Sequence, residues 1–241
     1  MNHPNIAVQI GACRTLEVFA IMLLKSAQPP DQLILATRYL KFLYATLIPI
    51  GLYFLVVYAF PRLLVTEAGY GEYYWPRRTW LFTHVFFGLA ATLLGPLQFV
   101  QRIRDWHLGL HRNLGRVYLI SVLVSPGCAI YLALTSAVTS MYTLGLVVVA
   151  SLWIASGIRA YLLIRKRQVA QHRAWMVRNY VITFFFITYS FFTDILFALN
   201  IGTVAGVATA GVWICWVVPL SVTEYALRQG PRCRHVRLAR H

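Results

Sequence analysis

Two stretches of this chain carry the same set of side chains that could do chemistry. His111-Arg112 is followed by Arg116 and Tyr118 in HRNLGRVY, and His172-Arg173 by Arg178 and Tyr180 in HRAWMVRNY. The copies are displaced by about 61 residues, and the second is one residue longer. Duplication and convergence both account for the likeness. Two neutral imidazoles from two helices are a donor set for the axial positions of a haem iron, which makes His111 and His172 candidate iron ligands for a haem b. Arg112, Arg116, Arg173 and Arg178 would then hold the propionates through paired N–H donors. The same arginines suit a phosphate-bearing lipid head group, with a histidine as acid or base. The plain alternative is a basic belt at a membrane boundary that merely tolerates histidine.

A second constellation is His84 with Asp194. Each lies about five residues inside an apolar run, counted from the same end. At about 1.5 Å per residue both would sit roughly 7 Å below the interface. Ionisable groups at depth are costly and are functional candidates by default. A facing His and Asp would make a proton relay, a quinone-binding pair or a structural hydrogen bond between helices. His107 and His111 share a helical face in HLGLH, but two histidines are a weak zinc signal. Glu224, near the end of the last apolar run, is expected to pair with Arg159, or with Arg116 or Arg178.

The elements that position these groups are membrane spans. Of 241 residues 59% are hydrophobic and only 12% charged, and the mean hydropathy is +0.63. Runs of about 20 apolar residues are needed to cross a bilayer core. Six occur, near 42–60, 79–100, 117–138, 141–163, 180–199 and 203–227. In lipid such runs must be helical, because each backbone polar group needs an internal partner. The expected fold is therefore all-α: a polytopic bundle of six transmembrane helices. An interfacial segment (1–40) precedes the bundle domain (41–228), and a basic tail (229–241) follows it. Lys and Arg gather before the first span, on the second-to-third and fourth-to-fifth connections, and in the tail. The turns near 139–141 and 200–202 have none. The positive-inside rule then puts both termini in the cytoplasm. His111 and His172 fall at the cytoplasmic edge, and His84 and Asp194 toward the outer one.

This topology also explains the net charge of +15. A basic belt facing anionic lipid of the cytoplasmic leaflet needs no nucleic-acid partner, and no nucleic-acid motif accompanies the charge. Cys13, Cys128, Cys215 and Cys233 make no C-x-x-C pair and imply no disulfide framework. The start lacks the pattern of a secretory leader, and residues 6–24 read as an interfacial amphipathic helix, with a seventh span as the alternative. There is no phosphate-binding G-x-x-x-x-G-K-[ST], no dinucleotide glycine pattern and no H-E-x-x-H.

Small residues at Ala91 and Gly95, and at Gly202, Gly206 and Ala210, are spaced for close helix contact. Gly95-Pro96 and Ser125-Pro126-Gly127 interrupt two spans. The carbonyls freed there would either line a ligand site or mark a packing kink. Tyr73, Tyr74, Trp75 and Trp80 read as an interfacial aromatic belt.

The ordered set HRNLGRVYLISVLVSPGCAIYLAL, SLWIASGIRAYLLIRKR and HRAWMVRNYVITFFF, with His84 and GPLQF before it, resembles a family of predicted bacterial membrane proteins, domain of unknown function 2306. The likeness covers about 79–190 and implies a multi-span bundle in a bacterial inner membrane. It brings no activity with it. The paired histidines are similar to those of transmembrane b-type cytochromes. Those with two haems need two more histidines on the outer side, and here only His84 is available. The readings carried forward are a haem- or quinone-linked electron or proton transfer protein, a binding or transport module for an anionic lipid or small solute, and an accessory subunit held by partner membrane subunits.

Overall fold

The structure is a computed structural model, and it describes residue 51 and residues 53–229. The expected interfacial helix at 6–24, most of the first span and the basic tail lie outside the described residues. The described chain is helical, without strands. It opens with a π-helical turn at Leu55–Ala59, then α1 (Phe60–Leu63) and α2 (Glu67–Tyr74). A 3-10 turn at Trp75–Arg77 leads into α3 (Arg78–Phe99). The short α4 (Gln101–Trp106) joins it to α5 (Leu108–Leu134), and α6 (Ser140–Arg165) returns. Then come α7 (Val169–Thr183), α8 (Phe185–Ala198) and α9 (Val204–Gln229).

Five described stretches are long and apolar enough to cross a membrane: Glu67–Phe99, Leu108–Leu134, Ser140–Arg165, Val169–Ala198 and Val204–Tyr225. They coincide with the second to sixth expected spans. The helices begin earlier than the apolar runs do. α5 starts at Leu108 and α7 at Val169, so both His-Arg heads are the first turns of helices and not the loops before them.

α3 packs along α5, α5 along α6, and α6 along α7, while α9 closes the bundle against α8, α6 and α7. The turns are set by local chemistry. Thr139 caps α6 by accepting from the Tyr142 N–H at 3.0 Å, and Thr203 accepts from the Gly206 N–H at 3.2 Å. Arg77 donates to the Thr135 carbonyl at 2.7 Å, beyond the last turn of α5. Asn200 and Gly202 take positive φ, which lets α8 and α9 reverse within a few residues.

The core is Ala91, Tyr118, Val122, Val149, Trp153 and Phe185, with Ile182, Val212 and Cys215 around them. Close approach is made at glycines. A Cβ at Gly145 would meet Val212 at 2.4 Å, and one at Gly157 would meet Val122 at 2.8 Å. Ala91 and Gly95 are buried as expected. Among the described residues the Gly202, Gly206 and Ala210 stripe is not a contact face: all three are exposed, and Gly211, against Phe192 and Tyr189, takes that role. Small residues permit close packing but do not choose the face that packs.

The prolines do not break their helices. α3 runs through Pro96, α5 through Pro126 and α9 through Pro219. A proline lacks the N–H that would bond the carbonyl four residues earlier. For Pro96 that carbonyl belongs to Thr92, and the Tyr180 hydroxyl donates to it at 3.1 Å. For Pro219 it belongs to Cys215, whose oxygen lies 3.2 Å from the Thr188 hydroxyl, but the one proton of that hydroxyl has a nearer acceptor in the Phe185 carbonyl at 2.8 Å. A side chain from α7 thus supplies the bond that Pro96 removes, as a dry bilayer requires.

Candidate functional site

The middle of the bundle is a closed polar network. The Tyr118 hydroxyl donates to Asn179 Oδ1 at 2.6 Å, and Asn179 Nδ2 donates to the Trp153 carbonyl at 2.9 Å and to Ser156 Oγ at 2.8 Å. Trp153 Nε1 donates to Thr183 Oγ1 at 3.0 Å, and Thr183 donates to the Asn179 carbonyl at 3.0 Å. That last bond, back to the fourth preceding residue, bends helices, and α7 ends at Thr183. Tyr118 and Asn179 are essentially fully buried. They are separated by 61 residues, the displacement between the two heads. Alignment by type would pair Tyr118 with Tyr180. The extra residue in the second copy instead brings Asn179 to that level and turns Tyr180 toward α3.

Above this network, toward the Tyr73 and Ser136 end, lies a cavity of about 110 Å³. Tyr73, Tyr74 and Ser136 line one end of it, and Val149, Trp153 and Ile182 the other. Its walls are mostly apolar and include Tyr142, Phe185 and Phe186. A water needs about 10–15 Å³ by this measure, so there is room for several waters or one slim ring. Tyr142 is hydrogen-bonded through its side chain to Tyr189.

His84 lines this cavity. Its Nδ1 lies 3.0 Å from the Ser125 carbonyl and 3.0 Å from Ser125 Oγ, and that hydroxyl donates to the His84 carbonyl at 2.9 Å. A carbonyl only accepts, so Nδ1 carries the proton and Nε2 keeps its lone pair. Phe186 packs edge-on to the imidazole at 5.0 Å. Ser125 and Phe186 are again 61 residues apart and grip the same ring. Asp194 is not joined to His84. It accepts from the Tyr58 hydroxyl, tying α8 to the segment before α1. The expected His84–Asp194 pair is therefore two separate hydrogen-bond sets, because depth along two helices leaves their rotation open.

At the basic end, His172 Nδ1 lies 2.8 Å from the Ala160 carbonyl on α6, which again leaves Nε2 with the lone pair. His111 is within electrostatic reach of Arg104, His172 and Arg112. Its own Nδ1 is buried without a hydrogen-bond partner. Arg112, Arg116 and Arg173 are exposed, and Arg116 donates to Asn113 at 3.2 Å. Arg178 instead makes a two-point ion pair with Glu224, its Nη2 lying 3.0 Å from Oε2. Of the three arginines expected as partners of Glu224, Arg178 is the one that pairs with it. Arg159 and Arg178 both lie over the Trp175 ring, at 5.7 and 4.9 Å. Among the described residues, no group of three or more His, Cys, Asp or Glu side chains gathers as a metal site.

Sequence reasoning missed Trp153, Ser156, Asn179 and Thr183 as a network with Tyr118, Ser125 as the partner of His84, and Gln98 as a buried amide. The usable signal was the 61-residue displacement, applied strictly by position. Comparison with curated proteins and with solved structures found no match. The family described as predicted membrane protein (DUF2306) matches residues 81–227, more than half the chain, and that stretch holds α5 to α8 whole, nearly all of α3 and α9, and the histidines of both ends. With this match and five helices able to span a bilayer, the chain belongs to the DUF2306 family of membrane proteins.

Proposed function

We propose that this protein binds a quinol-class molecule, an aromatic ring bearing a hydroxyl donor, in the cavity beneath His84. The observation that carries the reading is the His84 tautomer. With Nδ1–H held by Ser125, Nε2 offers a lone pair and nothing to donate. A quinol hydroxyl can donate to it, whereas the carbonyl of the oxidised quinone meets lone pair against lone pair. Aromatic walls at Tyr142 and Phe186 suit a flat ring. The same reading takes the basic end as cytoplasmic, the cavity as opening outward, and the membrane as a bacterial inner membrane.

The test is equilibrium binding of a short-chain quinol and of its oxidised form to the full chain in detergent. The reduced form should bind about 5- to 160-fold more tightly, since a buried unpaired polar atom costs roughly 1–3 kcal/mol. His84→Phe should erase that preference. Equal binding of the two forms, or binding of neither, refutes the proposal.

A haem between His111 and His172 is the second reading, favoured by the orientation of His172. Metal-bound imidazoles almost always donate their other N–H, and His172 does so to Ala160. His111 lacks such an acceptor, so the donor set fits at one ligand of the two. A bound haem would supply one-electron chemistry at the basic end, and the arginines there would meet its propionates. A Soret band that persists in His172→Ala, or a colourless protein after expression with added haem, refutes this reading.

A further inference from the structure

The basic end holds two buried polar atoms with nothing to bond. Gln98, near the end of α3, is 7% exposed, yet its Nε2 has no partner. His111, in the first turn of α5, buries an Nδ1 with no partner. The two belong to one locus. The Gln98 amide rests on Gly115, where a Cβ would meet its Oε1 at 3.1 Å, and His111 lies one helical turn before Gly115 on the same face. Buried polar groups are otherwise nearly always paired, and two orphans at one stretch of the α3–α5 interface are each in want of a partner.

The charge around them says which kind. Gln98 Nε2 can only donate, and His111 Nδ1 donates in the tautomer that carries its proton there. The nearby charged groups are Arg104, His172 and Arg112, all cations or potential cations. Asp105 is bonded to Arg104 at 3.5 Å and is itself exposed. A water could accept from both donors, but cationic surroundings at a membrane boundary favour an acceptor that carries negative charge. We infer that Gln98 Nε2 and His111 Nδ1–H together bind an anionic phosphoryl oxygen at the basic end of the α3–α5 interface. The source is either the head group of an anionic lipid or free phosphate. This site stands apart from the cavity under His84 and does not rest on it.

The test uses the full chain, delipidated in a neutral detergent. Native mass spectrometry follows retention of phosphatidylglycerol against phosphatidylcholine, and titration calorimetry follows inorganic phosphate. Phosphatidylglycerol should be retained over phosphatidylcholine, or inorganic phosphate should bind alone; the first outcome assigns a lipid head group and the second a free anion. Gln98→Leu and His111→Phe should each weaken the anion that binds by about tenfold, the usual consequence of losing one charge-assisted hydrogen bond. Lys166→Gln, an exposed member of the same basic belt, should change it by less than about twofold. If Gln98→Leu does not fold, Gly115→Ala displaces the same amide and must also weaken binding. Losses no larger than that of Lys166→Gln, equal retention of the two lipids with no binding of inorganic phosphate, or binding of neither anion overturns the inference.

Discussion

Gly95→Ala tests the joint between α3 and α7. A methyl group at Gly95 would lie 2.1 Å from Tyr180 Cε2, 2.4 Å from Cδ2 and 3.1 Å from Cζ. Ordinary contact begins near 3.4 Å, so ring and helix must part by about 1.3 Å. The ring has little room to move. Phe184 and Phe99 flank it at 5.1 and 5.7 Å, and its hydroxyl is tied to the Thr92 carbonyl at 3.1 Å. Overpacking of this kind costs about 1–3 kcal/mol. Losing the hydroxyl bond adds about 0.6 kcal/mol, the average for interhelical bonds in a bilayer. The expected loss is therefore about 1.6–3.6 kcal/mol. Reversible unfolding in mixed micelles measures it, and a double-mutant cycle assigns it. In a Tyr180→Ala background the ring is gone and Gly95→Ala should cost less than about 0.5 kcal/mol, a coupling of at least about 1 kcal/mol. A Gly95→Ala protein within about 0.5 kcal/mol of the parent, or additive effects in the double mutant, refutes the argument (the threshold is the scatter expected of uncoupled sites).

Tyr180→Phe should cost about 0.6 kcal/mol in the parent and clearly less in a Pro96→Ala background, where the restored backbone N–H can bond the Thr92 carbonyl; equal costs in the two unfolding series would mean that Tyr180 does not replace the bond lost to proline. Asn179→Leu removes the partner of Tyr118 and the donors to Trp153 and Ser156, and should lower stability by about 1–3 kcal/mol in the same unfolding assay; no change would mean that the network is dispensable. Ser125→Ala removes a hydroxyl but keeps the carbonyl that sets the His84 tautomer, so any preference for quinol over quinone should survive within about threefold, and its loss in binding assays would shift the tautomer argument to the hydroxyl. Arg178→Gln breaks the two-point ion pair to the partly exposed Glu224 and should cost about 1 kcal/mol, seen as a lower unfolding midpoint; an unchanged midpoint would mean that the pair adds nothing to stability.

Much of the architecture was readable from the residues because a bilayer leaves few choices. Apolar runs of the right length must be helices, and five of the six expected spans are present in the described chain. The boundaries were less readable. The His-Arg heads are polar, so hydropathy ends the span where they begin, but backbone hydrogen bonding carries α5 and α7 through them. The prolines were also ambiguous, since a freed carbonyl reads alike whether a ligand or a neighbouring tyrosine satisfies it.

The site divides in the same way. Residue type and depth marked His84, His111, His172 and Asp194 as unusual, because ionisable groups in or near hydrocarbon need a reason to be there. What each one bonds depends on the rotation of one helix against another. Depth follows from counting along a chain at a fixed rise per residue, and this much the sequence by itself determined, together with the helical class and the basic and neutral ends. Only the tertiary structure decided that Asp194 turns to Tyr58, that Ser125 and Phe186 grip His84, that Arg178 takes Glu224, and that Gln98 and His111 each bury a polar atom without a partner. The physical reason is that helix rotation is settled by packing across the bundle, where Gly95 must admit Tyr180 and Gly157 must admit Val122, and contacts between distant residues leave no periodic trace in the chain that forms them.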